Sequence, residues 1–157
     1  EKSNEKDPKK LAMEFSRQKT THVARKSDFK DALFIGCDTI VVKNKKILGK
    51  PKSRENAKEM LSLLSNSSHS VISGLTLVFK DKIISRAEET KVFFDTLSHE
   101  KIERYLNQNE WCDKAGGYGI QGKAAPFIKG IEGCYFNVVG FPVHLFYEML
   151  SELGLEI

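Results

Sequence analysis

Residues 113–122, with the sequence DKAGGYGIQG, constrain the fold of this chain most, because four of the ten residues are glycines. Glycine at this density favours tight turns with positive φ and lets the backbone approach a ligand closely. Asp113, Lys114 and Gln121 add a carboxylate, an ammonium group and an amide that both donates and accepts hydrogen bonds. The segment therefore predicts either a tight turn between two strands or a loop that contacts a polar ligand.

The length and composition indicate one globular domain. The chain has 157 residues, of which 40% are hydrophobic and 29% charged, and this is enough to form a single core. No stretch approaches 18 consecutive apolar residues, so we expect no membrane association. A net charge of +4 with scattered lysines does not predict nucleic-acid binding. The three cysteines lack metal-ligand spacing and indicate reduced thiols in a cytoplasmic protein.

Helical and strand patterns alternate irregularly along the chain. Helices are predicted to begin where a capping residue or a proline precedes apolar residues at helical spacing, near Pro8, Ser53, Ser98 and Pro142. Strands are predicted where β-branched and apolar residues cluster between turn residues, over residues 33–42, 47–48, 70–78, 83–87, 92–94, 127–131 and 138–139. This order predicts an α/β domain with a mixed sheet.

Five motifs accompany these elements in a fixed order. They are Gly36-Cys37-Asp38-Thr39, Leu48-Gly49-Lys50-Pro51, Leu64-Ser65 with His69, residues 113–122, and Asn137-Val138-Val139-Gly140-Phe141-Pro142. In this order and at these spacings the motifs resemble the Maf family of nucleoside triphosphate pyrophosphatases, across nearly the whole chain. The resemblance implies an α/β fold like that of inosine triphosphate pyrophosphatase, with a mixed, elongated sheet flanked by helices, a cleft between two lobes, and a homodimer.

The start of the chain departs from the family pattern. Family members open with a strand and a Ser-x-Ser-Pro-Arg-Arg type segment that holds phosphates, and this sequence does not show that segment. We therefore expect residues 1–157 to form a single Maf-like domain without the amino-terminal strand and phosphate-binding segment, within a longer polypeptide. A missing strand would leave one sheet edge or core face uncovered. By position, Glu1 corresponds to a glutamate that the family uses at its site, and it is a candidate metal ligand.

Asp38 is the candidate catalytic residue, because it interrupts an apolar strand where a carboxylate is costly to bury without a function or a partner. The alternative from sequence alone is that Asp38 caps a neighbouring turn. Hydrolysis at the α-phosphorus of a nucleotide needs an in-line water, charge neutralisation and a proton acceptor. Asp38 can accept the proton or hold Mg²⁺ or Mn²⁺, and the family resemblance implies the proton acceptor.

Three lysines are candidates for phosphate binding, since an ammonium group suits phosphate oxygens. Lys50 lies between Gly49 and Pro51, and the alternative is an exposed loop lysine. Lys19 matches a lysine that the family has at the end of its first shared helix; from sequence alone it is a solvated helix residue. Lys114 has three possible partners, namely Asp113, Asp38 and the substrate.

Thr39 and Gln121 are the candidate selectors of the base. The amide of Gln121 matches the O4 and N3 edge of uracil or thymine, and the alternative is a glutamine that closes its own turn. Thr39 adds a hydroxyl beside Asp38. The family branch that acts on methylated guanosine triphosphate replaces this threonine and alters the Gly-Ile-Gln-Gly run. Because this chain has both, it resembles the branch that acts on dTTP and UTP.

The sequence therefore predicts a cytoplasmic pyrophosphatase that uses a divalent metal ion and converts dTTP, UTP and modified pyrimidine nucleotides to a monophosphate and pyrophosphate. A competing hypothesis is a nucleotide-binding regulator of cell division or septum formation without significant turnover. The departure at the amino terminus favours the regulator. The presence of Asp38, Lys50 and Gln121 favours the enzyme.

Overall fold

The computed structural model describes residues 3–29 and 31–156 of the chain. Five strands form one sheet in the order β2-β1-β3-β4-β5. The strands are β1 Leu33–Lys43, β2 Lys46–Leu48, β3 Ser68–Phe79, β4 Lys82–Phe94 and β5 Ile128–Glu132. The helices are α1 Pro8–Lys26, α2 Arg54–Leu64, α3 His99–Leu106, α4 Tyr135–Val139 and α5 Val143–Glu152. The predicted α/β fold with a helix-flanked sheet is confirmed.

All pairings among the described strands are antiparallel, whereas the sequence predicted a mixed sheet. Short turns explain two of the four pairings. Asn44 and Lys45, with φ of 50° and 63°, join β1 to β2, and Lys80 with φ of 53° lies in the two-residue turn between β3 and β4. Two-residue connections of this kind join only antiparallel neighbours.

The two faces of the sheet are covered by different helices. On one face, Ala12 of α1 packs against Ile40 and Ile72. Helix α1 lies so close to β3 that a Cβ atom on Gly74 would come within 2.1 Å of the Ala12 carbonyl oxygen, so only glycine fits at this position. Residues of β1 and β3 alternate between the faces, and the odd-numbered ones point to the opposite face.

That opposite face carries two apolar clusters. At one end of the sheet, helices α2 and α3 and the glycine-rich segment pack around Leu61, Phe94 and Leu106. At the other end, α5 packs through Met149 and Leu150 against β3. Burial of each such side chain contributes about 1.5–3 kcal/mol. The two clusters leave the middle of β1 and β3, between them, to polar side chains.

The predicted helix starts are confirmed. The Asp7 side chain accepts hydrogen bonds from the backbone of Lys9 and Lys10, ahead of Pro8 at the first helical position. Ser53 and Ser98 cap α2 and α3 through their hydroxyl groups. No helix of the described chain is both long enough and apolar enough to cross a membrane.

Two strand predictions were wrong. Residues 83–87 and 92–94 belong to one strand, β4, because the polar residues between them continue the pairing with β3. Residues 138 and 139 were predicted as a strand but lie in the short helix α4. This helix ends at Gly140, whose φ is 123°, and it is held against the sheet by the buried side chain of Asn137.

Candidate active site

A cavity of about 650 Å³ opens between the middle of β1, the loop after β2, the glycine-rich segment and the end of α4. Its volume is in the range of small-molecule sites. Most of the predicted site residues line it, and these are Asp38, Thr39, Lys50, Lys114 and Gln121. Lys19 contacts Asp38 from α1. Glu1 lies outside the described residues.

Asp38 lies in mid-strand rather than at a turn, so it does not cap a neighbouring turn. It pairs with Gly74 of β3 and therefore shares the face that α1 covers, where its Oδ1 atom accepts a hydrogen bond from the Lys19 ammonium group. Among the described strands, β2 pairs only with residues 41–43 of β1, so Asp38 lies at an uncovered sheet edge. The Asp38 side chain is 14% exposed, and this edge gives it access to the cavity.

Thr39 points to the other face of β1, into a set of uncharged hydrogen-bonding groups. Its Oγ1 atom lies 2.7 Å from the Ser73 hydroxyl and 3.5 Å from the Gly140 carbonyl oxygen. The Ser73 hydroxyl also donates to the Asn137 carbonyl oxygen at 3.4 Å. Ser73 and Asn137 are fully buried, so their positions fix the Thr39 hydroxyl against the cavity wall.

Cys37 supports the same wall. Its thiol donates to the Gly140 carbonyl oxygen at 3.2 Å, and burial raises the pKa of the thiol to about 11. The thiol therefore stays protonated at neutral pH, and a protonated thiol is a poor nucleophile. Cys37 acts here as a hydrogen-bond donor in the wall.

The glycine-rich segment is a loop that lines the cavity, and it lies between α3 and β5 rather than in a tight turn between two strands. Gly116 and Gly117 have φ of 71° and 77°, and this conformation lets the Gly116 amide donate to the Gly49 carbonyl oxygen at 3.0 Å. The Tyr105 hydroxyl donates to the Gly117 carbonyl oxygen at 3.1 Å. These bonds connect the segment to the loop that carries Lys50 and to helix α3.

A buried pair of aromatic side chains holds the same segment to the sheet. The Tyr118 hydroxyl lies 2.6 Å from Nε2 of His69 on β3, and both rings pack edge-on against Phe94. Burial, with a smaller effect of Lys43, lowers the pKa of His69 to about 4. His69 is therefore neutral at pH 7, and it anchors the loop rather than moving a proton in the cavity.

Lys50 lies in the loop after β2, and Lys114 and Gln121 lie in the glycine-rich segment. These three side chains differ in their partners. Lys114 pairs with Asp113 at 2.9 Å, and this ammonium group lowers the pKa of the Asp113 carboxyl. Within the described residues, neither the Lys50 nor the Gln121 side chain has a hydrogen-bond or ion-pair partner. The turn at Gln121 is closed instead by the Gly122 amide and the Gly119 carbonyl oxygen, 3.1 Å apart. Gln121 thus does not close its own turn.

Sequence reasoning missed the residues behind the wall. Ser73, Asn137 and Glu110 received no role, although Glu110 lines the cavity and accepts a hydrogen bond from the Lys123 amide at 2.7 Å. A polar residue inside the apolar strand β3 was the signal for Ser73. Asn137 lay in a quoted motif, but the prediction of a strand there concealed its side-chain contacts.

The donor set fits a divalent metal ion only in part. Among the described residues, no group of three or more His, Cys, Asp or Glu side chains comes together to form a metal cage. Mg²⁺ is commonly held by one or two carboxylates together with substrate phosphates. Asp38, at the cavity edge, offers one such carboxylate. These features define an α/β protein whose cavity, with charged and hydrogen-bonding side chains in its walls, suits a phosphorylated ligand.

Comparison with known proteins agrees with this class. The family model described as Maf-like protein matches residues 1–153, and the chain belongs to that family. It is 45% identical to the dTTP/UTP pyrophosphatase of Pyrococcus abyssi, over 99% of this chain and 82% of that protein. It is 47% identical to the dTTP/UTP pyrophosphatase of Pyrococcus furiosus, over 100% and 81%. The dTTP/UTP pyrophosphatase of Clostridium botulinum strain Hall is 46% identical, over 92% and 76%.

Proposed function

We propose that this chain hydrolyses dTTP and UTP to the nucleoside monophosphate and pyrophosphate. The observation that carries the proposal is the convergence of Asp38, Thr39, Lys50, Lys114 and Gln121 on one cavity. The relatives with 45–47% identity are pyrophosphatases of these two nucleotides. The uncharged wall and the charged edge of the same cavity suit the two ends of a nucleotide.

The charged edge is assigned to the phosphates. Lys50 has no ion-pair partner in the described chain, so its ammonium group is available to the oxygens of the triphosphate. Lys19 and Lys114 bring two further positive charges, each next to a carboxylate. Charge neutralisation around the α-phosphorus and the leaving pyrophosphate is the main requirement of the reaction.

Asp38 is assigned to the attacking water. As a general base it accepts a proton while the water oxygen bonds to the α-phosphorus and the bond to the pyrophosphate oxygen breaks. A divalent ion such as Mg²⁺ or Mn²⁺, held by Asp38 and phosphate oxygens, would polarise the phosphates and neutralise their charge. In both roles the Lys19 ammonium group keeps the carboxylate oriented at the strand edge.

Thr39 and Gln121 are assigned to the base. Both line the cavity from different walls, one on β1 and one on the glycine-rich segment. The fixed Thr39 hydroxyl and the Gln121 amide, which has no hydrogen-bond partner in the described part of the chain, together present hydrogen-bonding groups to the Watson–Crick edge of a pyrimidine. Modified pyrimidine nucleotides that retain this edge fit the same arrangement.

We also propose a homodimer in the reducing cytoplasm. The three cysteines are free thiols, as expected in such a compartment. Three apolar side chains on α4 beside the cavity are more than 40% exposed, and these are Tyr135, Phe136 and Val139. An exposed apolar patch of this kind is typical of an interface. Light scattering of the purified protein measures the mass and tests the dimer.

Pyrophosphate release tests the proposed activity. The protein is incubated with Mg²⁺ or Mn²⁺ and with dTTP, UTP, CTP or GTP, and pyrophosphate and monophosphate are measured. We expect equal amounts of both products from dTTP and UTP, much lower rates with GTP, and loss of turnover when EDTA removes the metal. Tight binding of UTP without release of pyrophosphate would favour the nucleotide-binding regulator instead.

A further inference from the structure

We propose that Ser73 is a positioning residue for base selection. Its hydrogen bond with the Thr39 hydroxyl keeps the Thr39 proton inside the protein, so Thr39 faces the substrate as a hydrogen-bond acceptor. The inference rests on the proposed function, in which Thr39 and Gln121 contact the base. Ser73 lies on β3 and does not touch the substrate. The position of Ser73 also determines which partner donates and which accepts in each hydrogen bond between the protein and the base.

Gln121 by itself cannot distinguish uracil from cytosine. Its amide offers an acceptor and a donor side by side, and rotation by 180° reverses their order. Uracil presents the N3–H donor next to the O4 acceptor, and cytosine presents the N3 acceptor next to the N4 amino donor. Since no hydrogen bond to another described side chain or backbone group fixes the Gln121 amide, it matches either base. Discrimination requires a group of fixed polarity.

Thr39 is such a group, because its single hydroxyl proton has acceptors inside the protein. Thr39 and Ser73 hydroxyl oxygens are 2.7 Å apart, so one proton lies between them. If Ser73 donates to the Asn137 carbonyl oxygen at 3.4 Å, Thr39 donates to Ser73. If Ser73 donates to Thr39, the Thr39 proton goes to the Gly140 carbonyl oxygen at 3.5 Å. Both arrangements present a lone pair of Thr39 to the cavity.

The two acceptor oxygens of these arrangements each have one other donor. The Gly140 carbonyl oxygen accepts from the Cys37 thiol at 3.2 Å, and the Asn137 carbonyl oxygen accepts from the Gly140 amide at 3.1 Å. A carbonyl oxygen has two lone pairs, so each oxygen keeps one for a hydroxyl group of this network. In both arrangements the Thr39 proton therefore has an acceptor inside the protein.

An acceptor at Thr39 meets a donor on the base. The N3–H group of uracil or thymine donates to Thr39, and the Gln121 amide is then free to donate its NH₂ group to a base carbonyl oxygen. Cytosine would place its N3 lone pair against the lone pair of Thr39. A site built for a hydrogen bond rejects a mismatched group strongly, so Thr39 selects uracil and thymine over cytosine.

The test measures the affinities of UMP and CMP by calorimetry, which does not depend on turnover. Ser73→Ala frees the Thr39 proton, so Thr39 can donate to the N3 atom of cytosine. We expect the ratio of UMP to CMP affinity to fall about tenfold, mainly through tighter CMP binding. Ser73→Thr keeps a hydroxyl at this position and should restore the ratio; the melting temperature of each variant shows that it is folded.

Ser85→Ala is the matched control. Ser85 on β4 forms the same kind of hydroxyl pair with Thr76, at 2.8 Å, away from the cavity, and its loss should leave the affinity ratio unchanged. An unchanged ratio in folded Ser73→Ala, with UMP still bound, overturns the inference alone. A protein that binds neither UMP nor CMP overturns both the inference and the proposed function. A uracil preference without pyrophosphate release overturns the proposed function alone.

Discussion

Asp38 and Thr39 are adjacent on β1, yet they lie in different surroundings. Asp38 faces α1 at an edge of β1 that no described strand covers, and its described ion-pair partner is the Lys19 ammonium group, which is 46% exposed. Thr39 faces the opposite side of the sheet, where the buried Ser73 and Asn137 hold it through uncharged groups. A charge near solvent can exchange partners during a reaction, whereas a buried hydroxyl keeps its orientation. Strand alternation thus separates the charged group to which we assign the chemistry from the uncharged group to which we assign base recognition.

Replacement of the Asp38 carboxylate removes the group to which we assign the chemistry and should have the largest effect on turnover. Asp38→Asn keeps the shape of the side chain but cannot accept a proton or neutralise a metal ion. We expect kcat for UTP to fall about 10²-fold or more. Asp31→Asn is the control, because Asp31 also lies near a lysine, at 4.0 Å from Lys80, but is far from the cavity residues. A full kcat in Asp38→Asn would remove Asp38 from the mechanism.

His69 tests how much the buried groups on the Thr39 face contribute to stability, since it anchors Tyr118 and the glycine-rich segment. The pKa of His69 in the folded protein is about 4, below its value of about 6.5 in the unfolded chain. The unfolded state therefore binds the proton first. The stabilising contribution is complete above pH 6.5 and is lost as the pH falls from 6.5 to about 4, and it amounts to about 3 kcal/mol.

Urea unfolding at pH 7 and pH 4.5 measures this contribution. His69→Gln keeps a hydrogen-bonding group but does not titrate, so its free energy of unfolding should fall less than that of the wild type over this interval. His144→Gln is the control, because the His144 side chain is 85% exposed and should leave the pH dependence unchanged. Equal pH dependence in the wild type and His69→Gln would show that His69 is not buried in its neutral form.

Gln121 tests base recognition at the cavity wall that the glycine-rich segment forms. Gln121→Glu removes the NH₂ donor and places a negative charge near a base carbonyl oxygen, so kcat/KM for dTTP and UTP should fall at least tenfold. The segment should keep its fold, since its turns are closed by backbone groups. A series over UTP, dTTP, CTP and GTP gives the test. Equal losses for all four substrates would place Gln121 at the phosphates or in the loop structure.

The lysines allow a smaller test of the charged edge. Lys50→Ala removes a positive charge that has no ion-pair partner among the described residues and should raise KM for UTP about tenfold at low salt. The double variant Asp113→Asn and Lys114→Ala removes both members of an exposed pair and keeps the net charge, so we expect a change in KM of less than about threefold. If the double variant has the larger effect, Lys114 rather than Lys50 is the main phosphate contact.

The local structure was predictable where a single residue controls it. Pro8 and Ser53 mark helix starts by their own backbone and hydroxyl chemistry, and the structure agrees. The short helix α4 was not predictable, because Val138 and Val139 are β-branched and favour strands. The buried Asn137 overrides this preference through bonds to Val71 and Thr90, at 3.0 Å each, which are distant in sequence.

The residues that line the cavity were predictable from the sequence, but the contacts between them were not. The motifs identified Asp38, Thr39 and Gln121, because acid, hydroxyl and amide groups are unusual in apolar or glycine-rich surroundings. That Asp38 and Thr39 lie on opposite faces follows from strand alternation, but only the pairing of Asp38 with Gly74, the residue against which α1 packs, shows which of the two faces α1. Ser73 is marked in the sequence only as a polar residue inside the apolar strand β3, and its hydroxyl contact with Thr39, 34 positions away, is seen only in the structure. Such a contact has no local signal in the sequence.

The separation between chemistry and recognition is tested most directly by one steady-state experiment on two adjacent variants. Asp38→Asn and Thr39→Val are compared by kcat and by the ratio of kcat/KM for UTP to that for CTP. We expect Asp38→Asn to lower kcat about 10²-fold with the ratio unchanged, and Thr39→Val to lower the ratio about tenfold with kcat nearly unchanged. Equal losses of kcat in both variants, with both ratios unchanged, would contradict the separation.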